Sequence, residues 1–171
     1  MAEPLTTYKL TILALLDHSE VPLSGTQLSA FFLEKDYTNY FTVQEALHEL
    51  DESAFIKKES THNNTRYSIT PAGAETLSFF AEKLSDGIQS DIRDYLTENR
   101  LSIRETASVL ADYYKAPGER YAVRCQLKEK ESPRIDLTIT VPNKEIAEAI
   151  CDNWKQQSEH VYEYLMDLLV K

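Results

Sequence analysis

The sequence predicts an α+β fold, and the spacing of its apolar residues predicts it in two ways. Over residues 6–99 the apolar side chains recur mostly every three or four positions, which is typical of amphipathic helices. Over residues 107–141 they alternate with polar side chains, which is typical of strands with one buried face. We therefore expect a helical domain in residues 1–84. Residues 85–171 should form a second domain, in which helices back a small three-stranded antiparallel sheet.

The composition indicates a soluble, acidic protein. The 171 residues carry 28 Asp and Glu against 18 Lys and Arg, a formal net charge of −10. The acidic excess is spread along the chain: residues 1–84 hold 12 acids against 6 bases, and residues 85–171 hold 16 against 12. No apolar run approaches the roughly 20 residues that span a membrane, and the N-terminus lacks the pattern of a secretory signal. We expect a cytoplasmic protein with no membrane partner, in which Cys125 and Cys151 are buried thiols.

Three helices are predicted in the first 53 residues. Residues 6–18 are apolar on nearly every side, so this helix should be buried. Ser24 can cap a second helix that runs to about Lys35. Thr42 and Glu45 fit a capping box, which would start the third helix at Thr42 and carry it to about Ser53.

A hairpin is predicted directly after the third helix. Residues 55–60 and 66–70 form its arms, and the Asn63-Asn64 pair favours the positive φ of a hairpin tip. Pro71 then suits the first position of a new helix over residues 72–84, and another helix follows over residues 88–99. The order helix, turn, helix and two-stranded ribbon is that of a winged helix-turn-helix domain.

In the second half, three strands should form a meander. The face of Tyr121, Val123, Cys125 and Leu127 would be covered by a helix over residues 144–156. A separate last helix, residues 159–170, would present apolar side chains to its own domain or to a second copy of the chain. We expect a homodimer that uses this last helix through Val161, Leu165, Leu168 and Leu169.

No motif in the chain indicates catalysis. It has 4 glycines and no glycine-rich phosphate loop, and it lacks the nucleophile elbow and the zinc-binding helix motif. The four histidines fall in separate predicted elements without the spacing of metal ligands. We therefore expect a protein without enzymatic activity, cofactor or metal.

Ten polar residues are the candidates for contact with double-stranded DNA. On the third helix they are Thr42, Gln44, Glu45 and His48, and on the hairpin they are Lys57, Lys58, His62, Asn63, Asn64 and Arg66. Gln44 has the geometry to read adenine, and the three hairpin cations suit phosphates. A polar helix face and lysines on an edge strand are also ordinary surface features. The alternative is therefore a winged-helix module that binds protein instead of DNA.

The aromatic residues of the second half leave two interpretations open. Tyr113, Tyr114, Tyr121 and Trp154 could line a ligand pocket between the sheet and its helix, or they could be plain core. Residues 85–171 could therefore serve for dimerisation or for sensing a small-molecule effector, although no residue pattern supports a particular effector.

Several segments resemble known bacterial regulators. They are Tyr40-Phe41-Thr42, Ala46-Leu47-His48-Glu49-Leu50, Phe55-Ile56 and Tyr67-Ser68-Ile69-Thr70-Pro71-Ala72-Gly73. These segments resemble the third helix and wing of winged-helix regulators of the PadR and MarR kind. Residues 111–114 and 150–155 resemble an uncharacterised bacterial family of putative regulators that joins a winged helix to a small α+β domain. The resemblance implies transcription regulation, with the third helix as the recognition helix.

Overall fold

The computed structural model describes residues 4–60, 65–129 and 132–171 and has a mixed α+β architecture. These residues form seven α-helices and two three-stranded antiparallel sheets. They divide into two compact units, one of residues 4–59 and 65–103 and the other of residues 60, 104–129 and 132–171. The α+β class predicted from the sequence is confirmed.

Six helices belong wholly or partly to the first unit. They are α1 (Pro4–His18), α2 (Gly25–Glu34), α3 (Tyr40–Glu52), α4 (Pro71–Phe80), α5 (Asp86–Glu98) and α6 (Arg100–Ser108). A 3-10 turn, Ala81–Lys83, continues α4. The first five helices match predicted segments, whereas the sequence analysis assigned no element to residues 100–106.

Side-chain caps explain where the helices begin. Ser24 and Gln27 form a reciprocal capping box at α2, and the Thr70 hydroxyl accepts from the Gly73 amide at α4. The predicted capping box of Thr42 and Glu45 is wrong. Asn39 caps α3 instead, because its side chain accepts from the Thr42 amide at 3.0 Å one turn earlier. An amide cap at Asn39 lets the backbone form an additional helical turn before Thr42.

The first sheet places the predicted hairpin beside a strand that the sequence analysis missed. The hairpin arms are β2 (Ile56–Ser60) and β3 (Thr65–Ile69), and β1 (Leu23–Ser24) pairs with β3 to give the order β1-β3-β2. Leu23 lies opposite Tyr67. Two residues carry too little alternation for the sequence to predict a strand here.

The first core packs around α1 and α2. Ile12, Leu15, Phe31 and Phe32 are fully buried, in agreement with the prediction that the first helix is buried. The core continues into α5 and α6 through Ile92, Tyr95 and Ile103, past the predicted boundary at residues 84–88.

The second unit is a meander backed by one long helix. Its strands are β4 (Val109–Ala116), β5 (Arg120–Glu129) and β6 (Ser132–Val141), in the order β4-β5-β6. The apolar faces predicted for these strands meet α7 (Lys144–Leu169), which buries Ala147, Cys151, Trp154 and Ser158. The prediction of two helices here is wrong. The segment between them has no Gly or Pro, and Ser158 packs into the core, so the helix continues without a break.

Candidate nucleic-acid interface

The four helical candidates lie on the polar side of α3. The buried side of this helix presents Val43, Ala46, Leu47 and Leu50 to the core. Glu45 and His48 are exposed, and Thr42 and Gln44 are half-buried. All four candidates therefore lie on one helix, away from its buried apolar face, as predicted.

The leading end of α3 carries two aromatic side chains that the sequence analysis did not select. Tyr40 is 52% exposed and Phe41 is 80% exposed, and their rings meet edge to face with centroids 6.0 Å apart. They were missed because the helix start was placed at Thr42. An Asn followed by two aromatics and a Thr was the signal that could have revealed an earlier cap.

The charge on α3 is entirely acidic apart from His48. The helix contains Glu45, Glu49, Asp51 and Glu52, and it contains no Lys or Arg. His48 Nε2 lies 3.1 Å from Glu52 Oε1, and both side chains are about two-thirds exposed. Such a solvent-exposed pair contributes at most about 1 kcal/mol, so His48 can exchange this partner for another.

A left-handed residue connects α3 to the hairpin. Ala54 has φ of 61°, and the Phe55 amide then donates to the Leu50 carbonyl at 3.0 Å. The Thr70 hydroxyl donates to the Ala54 carbonyl at 2.7 Å. These bonds hold the start of β2 and the end of β3 against the C-terminal end of α3.

The three hairpin cations have different surroundings. Lys57 Nζ lies 3.0 Å from Glu59 Oε1 on the same face of β2. Lys58 is exposed on the other face, and no ion pair involves it within the described residues. Arg66 lies on β3 opposite Ser24, and burial lowers the pKa of its guanidinium. Among the described residues, Lys58 is therefore the exposed hairpin cation with no acidic partner.

The remaining hairpin candidates cannot be placed. His62, Asn63 and Asn64 lie outside the described residues, so their predicted contacts stay predictions.

The dimerisation candidates separate into two pairs on α7. Val161 and Leu165 pack against the core of their own unit. Leu168 is 59% exposed and Leu169 is 73% exposed. Only the second pair is available to a partner without unpacking the unit.

The aromatic residues of the second unit are mostly core. Tyr113 and Trp154 are buried and Tyr121 packs against them. The Trp154 indole donates to the Gln126 carbonyl at 3.0 Å. Tyr114 lies on the other face of β4 and is exposed. Three of the four aromatic residues that could have lined a ligand pocket therefore pack as part of the core.

The described residues contain neither a candidate metal site nor a candidate membrane span. Across those residues no group of three His, Cys, Asp or Glu side chains is placed to hold a metal ion. No helix in this part of the chain is both long and apolar enough to cross a membrane.

One family matches the chain over almost its whole length. The sequence profile of a family described as a domain of unknown function (DUF4364) matches residues 8–169. No curated protein and no solved structure matches.

Proposed function

The chain belongs to the DUF4364 family of domains of unknown function, and we propose that it is a DNA-binding transcriptional regulator without enzymatic activity. The first unit would act as a winged helix-turn-helix. In this proposal α3 enters the major groove, the β2–β3 ribbon is the wing, and α7 joins two copies of the chain.

The observation that carries the proposal is the direct connection of α3 to the ribbon. The elements follow the order α1, β1, α2, α3, β2, β3, and β1 pairs with β3. The hydrogen bonds at Ala54 and Thr70 fix the ribbon beside the helix end. A helix with one polar side next to a two-stranded ribbon suits a groove and its flanking phosphates.

The polar side chains suit different parts of the duplex. Gln44 would pair with adenine in the major groove, a contact that discriminates by about 1–3 kcal/mol. Lys58 would bind phosphate, since its ammonium is exposed on the ribbon. Lys57 would join it after leaving Glu59, at a cost of about 1 kcal/mol or less because that pair is exposed.

A charge reversal on the ribbon tests the proposal. The purified full chain would be titrated against mixed-sequence duplex DNA at low salt, by fluorescence anisotropy. We expect Lys58→Glu to weaken binding by at least about tenfold, which is about 1.4 kcal/mol. Lys155→Glu is the matched control, because Lys155 is an exposed lysine of α7 and the change in net charge is the same. Equal effects of the two substitutions, or no binding by the unmodified protein, would contradict DNA binding through the ribbon.

A second candidate function is supported by the leading end of α3. Tyr40 and Phe41 are exposed beside an acidic helix, and exposed aromatics often anchor protein interfaces. The alternative is a winged-helix module whose partner is a protein segment carrying Arg or Lys. A purified one-to-one protein complex that is lost on Phe41→Ser, in a chain that fails to bind DNA, would favour it.

A further inference from the structure

The first unit contains a cavity that plays no part in the proposed DNA contacts. It has a volume of about 210 Å³ and lies between α1, α3 and α4. Its apolar walls include Leu10 and Leu13 of α1, Leu50 of α3, and the rings of Phe55 and Phe80. A cavity of about 150 Å³ with similar lining is known to take benzene, so this one has room for a ring with a small head group.

The charges at the cavity are unevenly paired. Lys9 Nζ lies 3.4 Å from Glu49 Oε1, so these two opposite charges offset each other. Lys83 Nζ lies 5.0 Å from the centroid of the Phe80 ring. Within the part of the chain that the structure describes, no carboxylate lies within ion-pair distance of Lys83. Acids outnumber bases 28 to 18 in this protein, yet the ammonium beside the cavity has an aromatic ring as its neighbour.

We propose that this cavity binds a small organic monoanion, with a compact apolar body in the cavity and a carboxylate against the Lys83 ammonium. The apolar walls favour the body through the area they remove from water. The carboxylate stays at the rim, where Lys83 supplies the opposite charge. The Lys9–Glu49 pair adds no net charge. Glu49 Oε2 is buried and has no hydrogen-bond partner among the described residues, so it favours a carboxylate placed on the Lys83 side of the cavity.

The position of the cavity gives it a regulatory consequence. Glu49 and Leu50 belong to α3, so a bound molecule would contact the helix that is proposed to meet DNA. That consequence depends on the proposed function, whereas binding of the monoanion does not.

The test uses cyclohexanecarboxylate and its neutral analogue cyclohexanecarboxamide with the ¹⁵N-labelled full chain and no DNA. We expect saturable amide shifts at the cavity-lining residues. The carboxylate should bind about fivefold more tightly than the carboxamide, as one partly exposed ion pair of about 1 kcal/mol would give. Lys83→Gln should remove that preference and leave carboxamide binding unchanged. Lys155→Gln, a matched exposed lysine, should preserve it.

A cavity-filling variant provides an independent check. Thr76 lines the cavity from α4, and Thr76→Trp should abolish binding of both compounds. Because a Trp at this position also changes the packing of α4, the Lys83→Gln comparison carries the conclusion. Equal affinity for acid and amide, an unchanged preference in Lys83→Gln, or shifts spread over both units would overturn the proposal. None of these results bears on whether the chain binds DNA.

Discussion

A single glycine controls how closely α4 approaches the start of the hairpin. A Cβ built on Gly73 would overlap the carbonyl oxygen of Phe55 and crowd the Ile69 side chain. We predict that Gly73→Ala lowers the free energy of unfolding by about 2–3 kcal/mol, as overpacking of a fixed backbone does. Urea denaturation followed by circular dichroism would measure it.

Gly87 provides the matched control for that substitution. It lies in the first turn of α5, and a Cβ there would meet only the Ser85 hydroxyl at 3.8 Å. Gly87→Ala should leave the stability unchanged or raise it by up to about 1 kcal/mol, because Ala favours helix. A loss as large as that of Gly73→Ala would show that the contact with Phe55 is not the cause.

The buried Tyr95 and the half-buried Tyr37 make the first unit sensitive to alkali. Burial, followed by the hydrogen bond and the charge of Asp91, raises the pKa of Tyr37 to about 12. Burial, followed by the charge of Glu34, raises the pKa of Tyr95 to about 12. The folded state therefore holds these protons more tightly than an unfolded chain, in which the phenol pKa is about 10.

The sign of the pH dependence follows from the raised pKa values. The stabilisation is fully present below pH 10 and is lost as the pH rises from about 10 towards about 12. Urea denaturation at several pH values between 8 and 11 should show this loss. It should be smaller in Tyr95→Phe, which also loses the 2.7 Å hydrogen bond to the Gln27 carbonyl at every pH. An identical alkaline loss in that variant would show that Tyr95 is not responsible.

At the scale of single residues, the sequence predicted caps well where one candidate stood alone. Ser24 was the clear choice at α2 and is confirmed, as is Pro71 at the first position of α4. At α3 two candidates stand one turn apart, Asn39 and Thr42, and either has a suitable side-chain oxygen. N-cap preference does not distinguish these two residues. Which one caps α3 depends on packing of the whole helix, and the exposure of Tyr40 and Phe41 depends on where the helix begins.

At the scale of elements, the regular spacing of apolar residues was the reliable signal: alternation for strands, and every three or four positions for helices. The three strands of the second unit and the five long helical segments of the first follow from it. The two-residue strand β1 could not be recognised, because its pairing with β3 is a long-range contact. The continuity of α7 depends on Ser158 being buried at 2% exposure, which a polar residue in the sequence does not suggest.

The end of α7 gives the prediction for the proposed homodimer. Leu168 and Leu169 are exposed, whereas Leu165 packs on its own sheet. We predict that Leu168→Glu combined with Leu169→Glu shifts the chain from dimer to monomer in sedimentation equilibrium. The thermal stability of the second unit should be retained, since neither side chain is in its core. Leu165→Glu should instead destabilise the unit, because it places a charge against apolar side chains.

A dimer that persists in the double variant would place the interface elsewhere. A protein that is monomeric before any substitution would remove dimerisation from the proposed function.

At the scale of the whole molecule, the sequence determines the net charge. The structure shows how the individual cations are surrounded. The net charge of −10 opposes DNA on most of the surface. The sequence suggested three equivalent hairpin cations, but the structure distinguishes them. Pairing of Lys57 with Glu59 follows from their two-residue spacing within β2. Burial around Arg66 depends on how β3 packs, which a list of residues cannot supply.

This distinction predicts how DNA affinity depends on salt. Each neutralised phosphate contributes about −0.9 to the slope of log affinity against log salt concentration. If Lys58 alone contacts phosphate in each subunit of a dimer, two phosphates are neutralised and the slope is about −2. If Lys57 leaves Glu59 and Arg66 also reaches the backbone, six phosphates are neutralised and the slope is about −5. Anisotropy titrations between about 25 and about 200 mM salt, over which the Debye length falls from about 20 Å to about 7 Å, would measure it. Glu59→Gln frees Lys57 and should make the slope steeper by about 2 in the dimer if Lys57 stays paired with Glu59 in the unmodified protein.

A slope near zero in both proteins would mean that the ribbon does not contact phosphate, and the protein-binding alternative would then account for the surface of α3.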